Sequence, residues 1–128
     1  MSTFSRTRLV EVRRPLLALH RALIEASLVE HERNHGRVEG TNRIEIVRSH
    51  PAFAWLRPIS ELVMRVDEAL EDEGAAIDPL LAETAGLLAP AERDDELGRK
   101  YVEVLQAHPD AVLAHAELRR AVERGTMN

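Results

Sequence analysis

Residues 15–35 read PLLALHRALIEASLVEHERNH, and this stretch decides the fold class. Its apolar residues recur three and four positions apart along two adjoining rows, which is the spacing of one helix face. The rows are Leu16, Leu19, Leu23, Ala26 and Leu17, Ile24, Leu28. Pro15 suits the first turn of a helix, and Gly36 suits its left-handed end. The pattern predicts a helix over about 15–35, with residues 1–14 as a separate turn or a flexible or kinked extension.

Later segments of the chain also have apolar residues three and four positions apart, and each segment is bounded by residues that start or stop helices. Further helices are predicted at about 42–49, 58–73, 78–89, 94–108 and 109–124. Their end signals are Thr41 or Asn42, His50-Pro51, Pro58, Gly74, Asp78-Pro79, Pro90 and Gly125. Gly86 is interpreted either as a weak point of its helix or as a close contact between helices. No segment has the alternation of a strand, so the prediction is an all-α, single-domain bundle of five to six mostly antiparallel helices.

The composition restricts the kind of protein more than the activity. The chain of 128 residues has 45% apolar residues and only 3% aromatic residues, so its core is mostly aliphatic. It contains no cysteine, which excludes disulfides and favours a reducing cytoplasm. No apolar run approaches the ~18 residues of a membrane span. We therefore expect a cytoplasmic protein, and the Arg-rich usage is typical of a bacterial source.

Charge is divided unevenly along the sequence. Residues 1–65 hold eleven Arg and seven acidic residues, whereas residues 67–96 hold eleven acidic residues and Arg93 as their one basic residue. The two segments therefore carry net charges of +4 and −10. Such a division is consistent with a solvated acidic surface or with binding to a partner, including a second copy of the chain.

The segment HERNHG, residues 31–36, contains the most metal-like pattern in the chain. His31 and His35 are four apart and Glu32 lies beside them, so on a helix they could bind a divalent transition metal. The same residues also suit a helix end, where protonated histidines interact favourably with the helix dipole. Glu32-x-x-His35 resembles half of a di-iron motif, but the chain contains no second Glu-x-x-His.

The segment FAWLRPIS, residues 53–60, holds the one Trp of the chain. Phe53 and Trp55 are interpreted either as core anchors or, with Arg57 and Glu61, as part of a protein interface. Arg57 and Glu61 are four apart and are expected to pair if both lie on the helix surface.

These residues carry a resemblance to a known group of proteins. The chain resembles small, uncharacterised bacterial all-helical proteins that share an LHRALIE-like helix ending in HG, a FAWLRP[IL]S segment and a D-E-A-L motif. The matching residues here are 19–25, 35–36, 53–60 and 67–70. The resemblance spans about residues 15–122 and implies a helical fold and a cytoplasmic location, with no known activity.

Two polar residues fall on apolar helix faces. His20 has leucine or isoleucine one turn before and after it, which predicts a half-buried, hydrogen-bonded histidine. Asp67 follows the apolar stripe of its helix and needs a basic partner, for which Arg14, Arg21 and Arg57 are candidates.

The sequence contains no complete set of catalytic residues. DDELG, residues 94–98, resembles a piece of the all-α nucleotide pyrophosphohydrolases, but the acidic motif of the partner helix is missing. The isoelectric point of about 5.7 and the few aromatics argue against nucleic-acid binding. The leading hypothesis is a non-catalytic binding or regulatory protein that acts through a protein partner or a homo-oligomer, without a cofactor. The alternative is a bundle that binds a metal or small ligand through His31, Glu32 and His35.

Overall fold

The computed structural model describes residues 3–124 and confirms the predicted all-α bundle. Within that range the chain forms six α-helices and two short 3₁₀ segments, and no strand. The helices are α1 (Thr3–His35), α2 (Thr41–Ser49), α3 (Arg57–Glu71), α4 (Asp78–Gly86), α5 (Glu96–Ala107) and α6 (Pro109–Arg124). The 3₁₀ segments are Pro51–Leu56 and Pro90–Glu92.

The first helix is longer than the sequence pattern predicts. We expected it to begin at Pro15, but α1 begins at Thr3 and continues through the proline. Pro15 cannot donate the backbone hydrogen bond that a helix interior normally contains. Leu9 and Val12 precede it and are fully buried, and burial of each contributes roughly 1.5–3 kcal/mol. Burial of this first segment therefore outweighs the lost hydrogen bond, and residues 3–14 are not a separate turn.

Helix α1 runs antiparallel to α3, as its polar contacts show. The guanidinium of Arg6 donates to the carbonyls of Leu70 and Asp72, at 3.1 and 2.7 Å. These carbonyls belong to the C-terminal end of α3, where helix carbonyls lack partners within the helix. Further along α1, His20 Nε2 lies 2.8 Å from Ser60 Oγ near the start of α3.

Helix α6 packs along another side of α1, also antiparallel. Arg8 Nη2 donates to the carbonyl of Val122 near the end of α6, at 3.4 Å. At the opposite end, His108, which precedes α6, lies beside Glu30. Helix α1 thus forms the axis of the bundle, and its C-terminal end reaches the junction of α5 and α6.

The two aromatic residues of the Pro51–Leu56 segment belong to the core. Trp55 is 6% exposed and Phe53 is 3% exposed, so the core-anchor interpretation is the one that the structure supports. His50 caps this segment, because its Nδ1 accepts the backbone N–H of Ala52 at 3.1 Å. The segment therefore fixes the corner between α2 and α3.

Several helix ends differ from the predictions by one or a few residues. Gly40, with φ of 61°, occupies the N-cap of α2, where we predicted Thr41 or Asn42. Asp78, predicted as an N-cap, is the first residue of α4 and accepts a hydrogen bond from Ser5 Oγ at 2.7 Å. Gly86 ends α4 and has open space around it, so it makes no close contact between helices. Gly125 lies outside the described residues.

Between residues 3 and 124, no helix combines the length and the hydropathy that a bilayer crossing requires.

Candidate functional site

A cleft opens at the C-terminal end of α1, between this helix, the Pro51–Leu56 segment and α5. Its volume is about 430 Å³. The lining residues are Ser27, Glu30, His31, Asn34 and His35 from α1, Ala52 and Trp55 from the 3₁₀ segment, Lys100, Glu103, Val104 and Ala107 from α5, and His108. The cleft combines imidazole rings, carboxylates and one ammonium group with an apolar wall. These are the kinds of groups that orient and enclose a small ligand.

Three histidines cluster at one edge of this cleft. The ring centroid of His31 lies 4.5 Å from that of His35 and 4.8 Å from that of His50. The centroids of His35 and His50 are 6.1 Å apart. The ring of Phe53 closes the inner side of the cluster, 5.7 Å from His31. We refer to His31, His35 and His50 as the histidine cluster.

The environment of His31 favours the neutral form of its ring. His31 is 9% exposed, and burial is the main cause that lowers its pKa. The neighbouring His35 and His50 lower the pKa further, while Glu32 acts in the opposite direction. A neutral imidazole has a free lone pair, which is the form that binds metals or accepts hydrogen bonds.

No protein-family model, curated protein or solved structure matches the chain. The resemblance to small bacterial helical proteins therefore stays a prediction.

Glu32, which we grouped with His31 and His35, has a different role. Its Oε2 accepts the backbone N–H of Val38 at 2.8 Å and so holds the turn that follows α1. Gly36 in this turn has φ of 86°, the left-handed conformation predicted for the helix end. One oxygen of the predicted carboxylate ligand is therefore engaged by the backbone, and His50 is the third imidazole beside His31 and His35.

Sequence reasoning missed the participation of His50 and His108. His50 was interpreted as a residue that ends α2, and its distance from His31 depends on how the chain turns at Gly36 and Gly40. His108 Nε2 lies 3.4 Å from Glu30 Oε1, and this buried nitrogen has no hydrogen-bond partner. One sequence signal could have found both residues: His50 and His108, like His31 and His35, lie close to helix ends. These helix ends meet at the same end of the bundle.

The side-chain atoms that could coordinate a metal do not converge on a single point in the described part of the chain. Among residues 3–124, no three His or acidic side chains are placed so that they could hold a metal ion together. A metal site in the histidine cluster therefore requires its rings to turn.

The other predicted interface residues lie outside the cleft. Arg57 and Glu61 are both exposed, and no ion pair joins these two described side chains. The negative charge of Glu61 instead helps to raise the pKa of Arg65. The guanidinium of Arg65 donates to both carboxylate oxygens of Glu83, at 2.6 and 2.9 Å. Arg57 and Glu61 therefore remain available for a partner, while Phe53 and Trp55 do not present their rings as a surface patch.

The two predicted buried polar residues have structural partners. His20 is half-buried and hydrogen-bonded to Ser60, and burial lowers its pKa. Asp67 was expected to be buried, but its side chain is 45% exposed, and it pairs with Arg13 at 2.5 Å and not with Arg14, Arg21 or Arg57. Our choice of partner was wrong because α1 begins before Pro15, which places Arg13 on the helix face that crosses α3.

A buried polar pair between α5 and α6 was not anticipated. The hydroxyl oxygen of Tyr101 lies 2.6 Å from His115 Nδ1, and both residues are buried. Arg119 Nη2 approaches His115 Nε2 at 3.3 Å. Because a guanidinium only donates, its position assigns the proton of the neutral ring to Nδ1, which donates to the Tyr101 oxygen. The pair fixes the angle between α5 and α6 and is not connected to the cleft.

Proposed function

We propose that the protein is a non-catalytic binding protein whose ligand occupies the cleft at the C-terminal end of α1. The observation that supports this proposal is the gathering of His31, His35, His108 and Trp55 around one open volume. The chain brings these residues together from three separate segments. A cytoplasmic location belongs to the same proposal, since the chain lacks cysteine.

The chemistry of the cleft favours a small ligand with a cationic or hydrogen-bond-donating group. Glu30 and Glu103 supply negative charge, although each is also close to a basic side chain, Arg33 at 3.0 Å and Lys100 at 3.9 Å. The imidazoles supply lone pairs, and Trp55 and Val104 supply apolar surface. A ligand with one polar end and a small apolar body matches this combination.

The proposal can be tested through the single tryptophan. Because Trp55 lines the cleft, its fluorescence should change when a compound from a fragment library enters. The variant Ala107→Phe fills the cleft from its α5 wall and should abolish the change, since Ala107 is exposed and tolerates the larger side chain without disturbing the core. Ala82→Phe is the matched control, because Ala82 is an exposed alanine on α4 outside the cleft.

We expect fragments to bind the wild-type protein and the Ala82→Phe variant with similar affinity. Binding by Ala107→Phe that equals the wild type contradicts the proposal, as does the failure of every fragment to perturb Trp55. Ligand-observed NMR provides a second readout that does not depend on fluorescence.

Association with a protein or with a second copy is the second candidate function. It is favoured by apolar side chains that α6 leaves in solvent, of which Leu113 is 64% exposed and Val112 is 44% exposed. A shallow groove of about 410 Å³ runs between this end of α6 and α1, and its floor carries Ala18, Ala22 and Ala111. Small residues on the floor of a groove allow another helix to approach closely. Arg57 and Glu61 would contribute polar contacts at a different face.

A further inference from the structure

We propose that the histidine cluster, His31, His35 and His50, is a binding site for one divalent transition metal ion such as Zn²⁺ or Ni²⁺. The inference extends the proposed function, since it names a ligand at the edge of the cleft. It differs from the sequence-based hypothesis in its third ligand, which is His50 and not Glu32.

The spacing of the three rings supports this site. When three imidazoles bind one tetrahedral ion with metal–nitrogen distances of about 2.0–2.1 Å, their ring centroids lie about 5 Å apart. The observed separations of 4.5, 4.8 and 6.1 Å surround this value. The rings therefore already lie near the required spacing, and binding requires rotation about their side-chain bonds to aim the nitrogens at a common point.

The surroundings of the cluster suit a metal with an open coordination position. Phe53 covers the inner side, and burial of His31 keeps water from one face. His31 and His35 also line the cleft, so a fourth ligand can approach the ion from that side. Three protein ligands and one exchangeable position are the arrangement of zinc sites that bind substrates or small ligands.

One existing hydrogen bond must be given up when the ion binds. His50 Nδ1 accepts the N–H of Ala52, so in the neutral ring the proton is on Nε2. Coordination through Nε2 moves this proton to Nδ1, and coordination through Nδ1 displaces Ala52 directly. In either case the N–H of Ala52 loses its acceptor, which gives metal binding a local backbone signature.

The test uses the chelator-stripped full chain, with Zn²⁺ titrated by calorimetry and Co²⁺ followed by its visible absorption. We expect one ion per chain and a tetrahedral Co²⁺ spectrum. His50→Asn should weaken Zn²⁺ binding by more than about 100-fold, because loss of a ligand exceeds the 10–100-fold effect of losing a supporting residue. Asparagine still caps a helix, so this variant preserves the fold at position 50. His20→Gln is the matched control, since His20 lies outside both the cleft and the cluster.

Wild-type protein that binds no Zn²⁺ overturns the inference, and so does His50→Asn that binds Zn²⁺ as tightly as the wild type. Loss of binding in His50→Asn together with retention in His20→Gln supports it. NMR of the Ala52 amide should show a shift on metal addition in the wild type. Fragment binding reported by Trp55 in metal-free protein is measured separately, so failure of the metal site is distinguishable from failure of the cleft proposal.

Discussion

Individual histidines differ in this protein because their surroundings differ. His20 and His115 have lowered pKa values, and in both cases burial is the main cause. The positive charge of Arg119 lowers the pKa of His115 further. Neither residue belongs to the cleft, so each reports on the stability of the helix pairs that it joins. His20 joins α1 to α3, and His115 joins α6 to α5.

The lowered pKa values of His20 and His115 predict that folding stability depends on pH. The folded-state pKa values of His20 and His115 lie below the ordinary value of 6.5, so the unfolded chain binds protons more tightly than the folded chain. The free energy of unfolding should therefore be constant well above pH 6.5 and should decrease as the pH falls through 6.5. Urea unfolding between pH 8 and 5, with a chelator present, measures this dependence. Most carboxyl groups titrate at lower pH, so the upper part of this window belongs to histidine.

The double variant His20→Gln and His115→Gln provides the comparison. Glutamine keeps a hydrogen-bonding side chain but does not titrate. We expect the unfolding midpoint of the double variant to change less between pH 7 and 5.5 than that of the wild type. An equally steep change in both proteins contradicts the assignment of the effect to these two residues.

Among the elements, α5 depends most on a single small residue. Asp95 caps α5 by accepting the backbone N–H of Gly98 at 2.9 Å, which brings the first turn of the helix against the segment before it. A Cβ atom at Gly98 would lie 2.7 Å from both the Pro90 carbonyl oxygen and Arg93 Cβ. Any side chain at this position must push the two segments apart.

Alanine at Gly98 is therefore expected to destabilise the protein by about 1–3 kcal/mol, the range found for overpacked sites. Gly86 at the end of α4 is the matched control, because nothing lies within 4 Å of the Cβ position and its φ is not positive. Gly86→Ala should stabilise by up to about 1 kcal/mol through restriction of the unfolded chain. Urea denaturation of the two variants measures both effects, and similar free energies of unfolding would contradict the packing argument.

The elements also show what could be predicted from the sequence. Periodicity and end signals predicted the helical class and the existence of all six helices, because these depend on residues close in sequence. The start of α1 was wrong because burial of Leu9 and Val12 is a tertiary effect that outweighs the local signal of Pro15. In the cleft, His31 and His35 were predictable as neighbours on one helix. The approach of His50 and His108 was not, because it depends on how distant segments fold against each other.

At the scale of the whole molecule, charge is separated between the Arg-rich first half and the acidic region of α3 and α4. Some of this charge is paired within the chain, as in Arg13–Asp67 and Arg65–Glu83. These pairs are about half exposed, so each contributes only about 0.2–1 kcal/mol to stability. The acidic excess that remains disfavours contact between two copies at that face. The candidate for association is the exposed apolar side of α6, which carries Val112 and Leu113.

Self-association through the exposed apolar side of α6 can be tested with charge substitutions. We expect wild-type protein to form a dimer in sedimentation velocity experiments at high concentration, and Leu113→Glu to be a monomer, because a buried carboxylate at an apolar interface is costly. Ile44→Glu is the matched control, since Ile44 is 65% exposed but lies on α2. A wild-type protein that stays monomeric, or an Leu113→Glu variant that still forms the dimer, argues against this face.

The antiparallel packing of α1 and α6 has a consequence for biosynthesis. Arg8 and Val122 are 114 positions apart in sequence, yet they are joined by a hydrogen bond. Helix α1 is made before the other described helices, and the apolar side chains on its α6-facing side stay uncovered until α6 has been made. That side of α1 is the segment on which we expect chaperones that bind nascent chains to act.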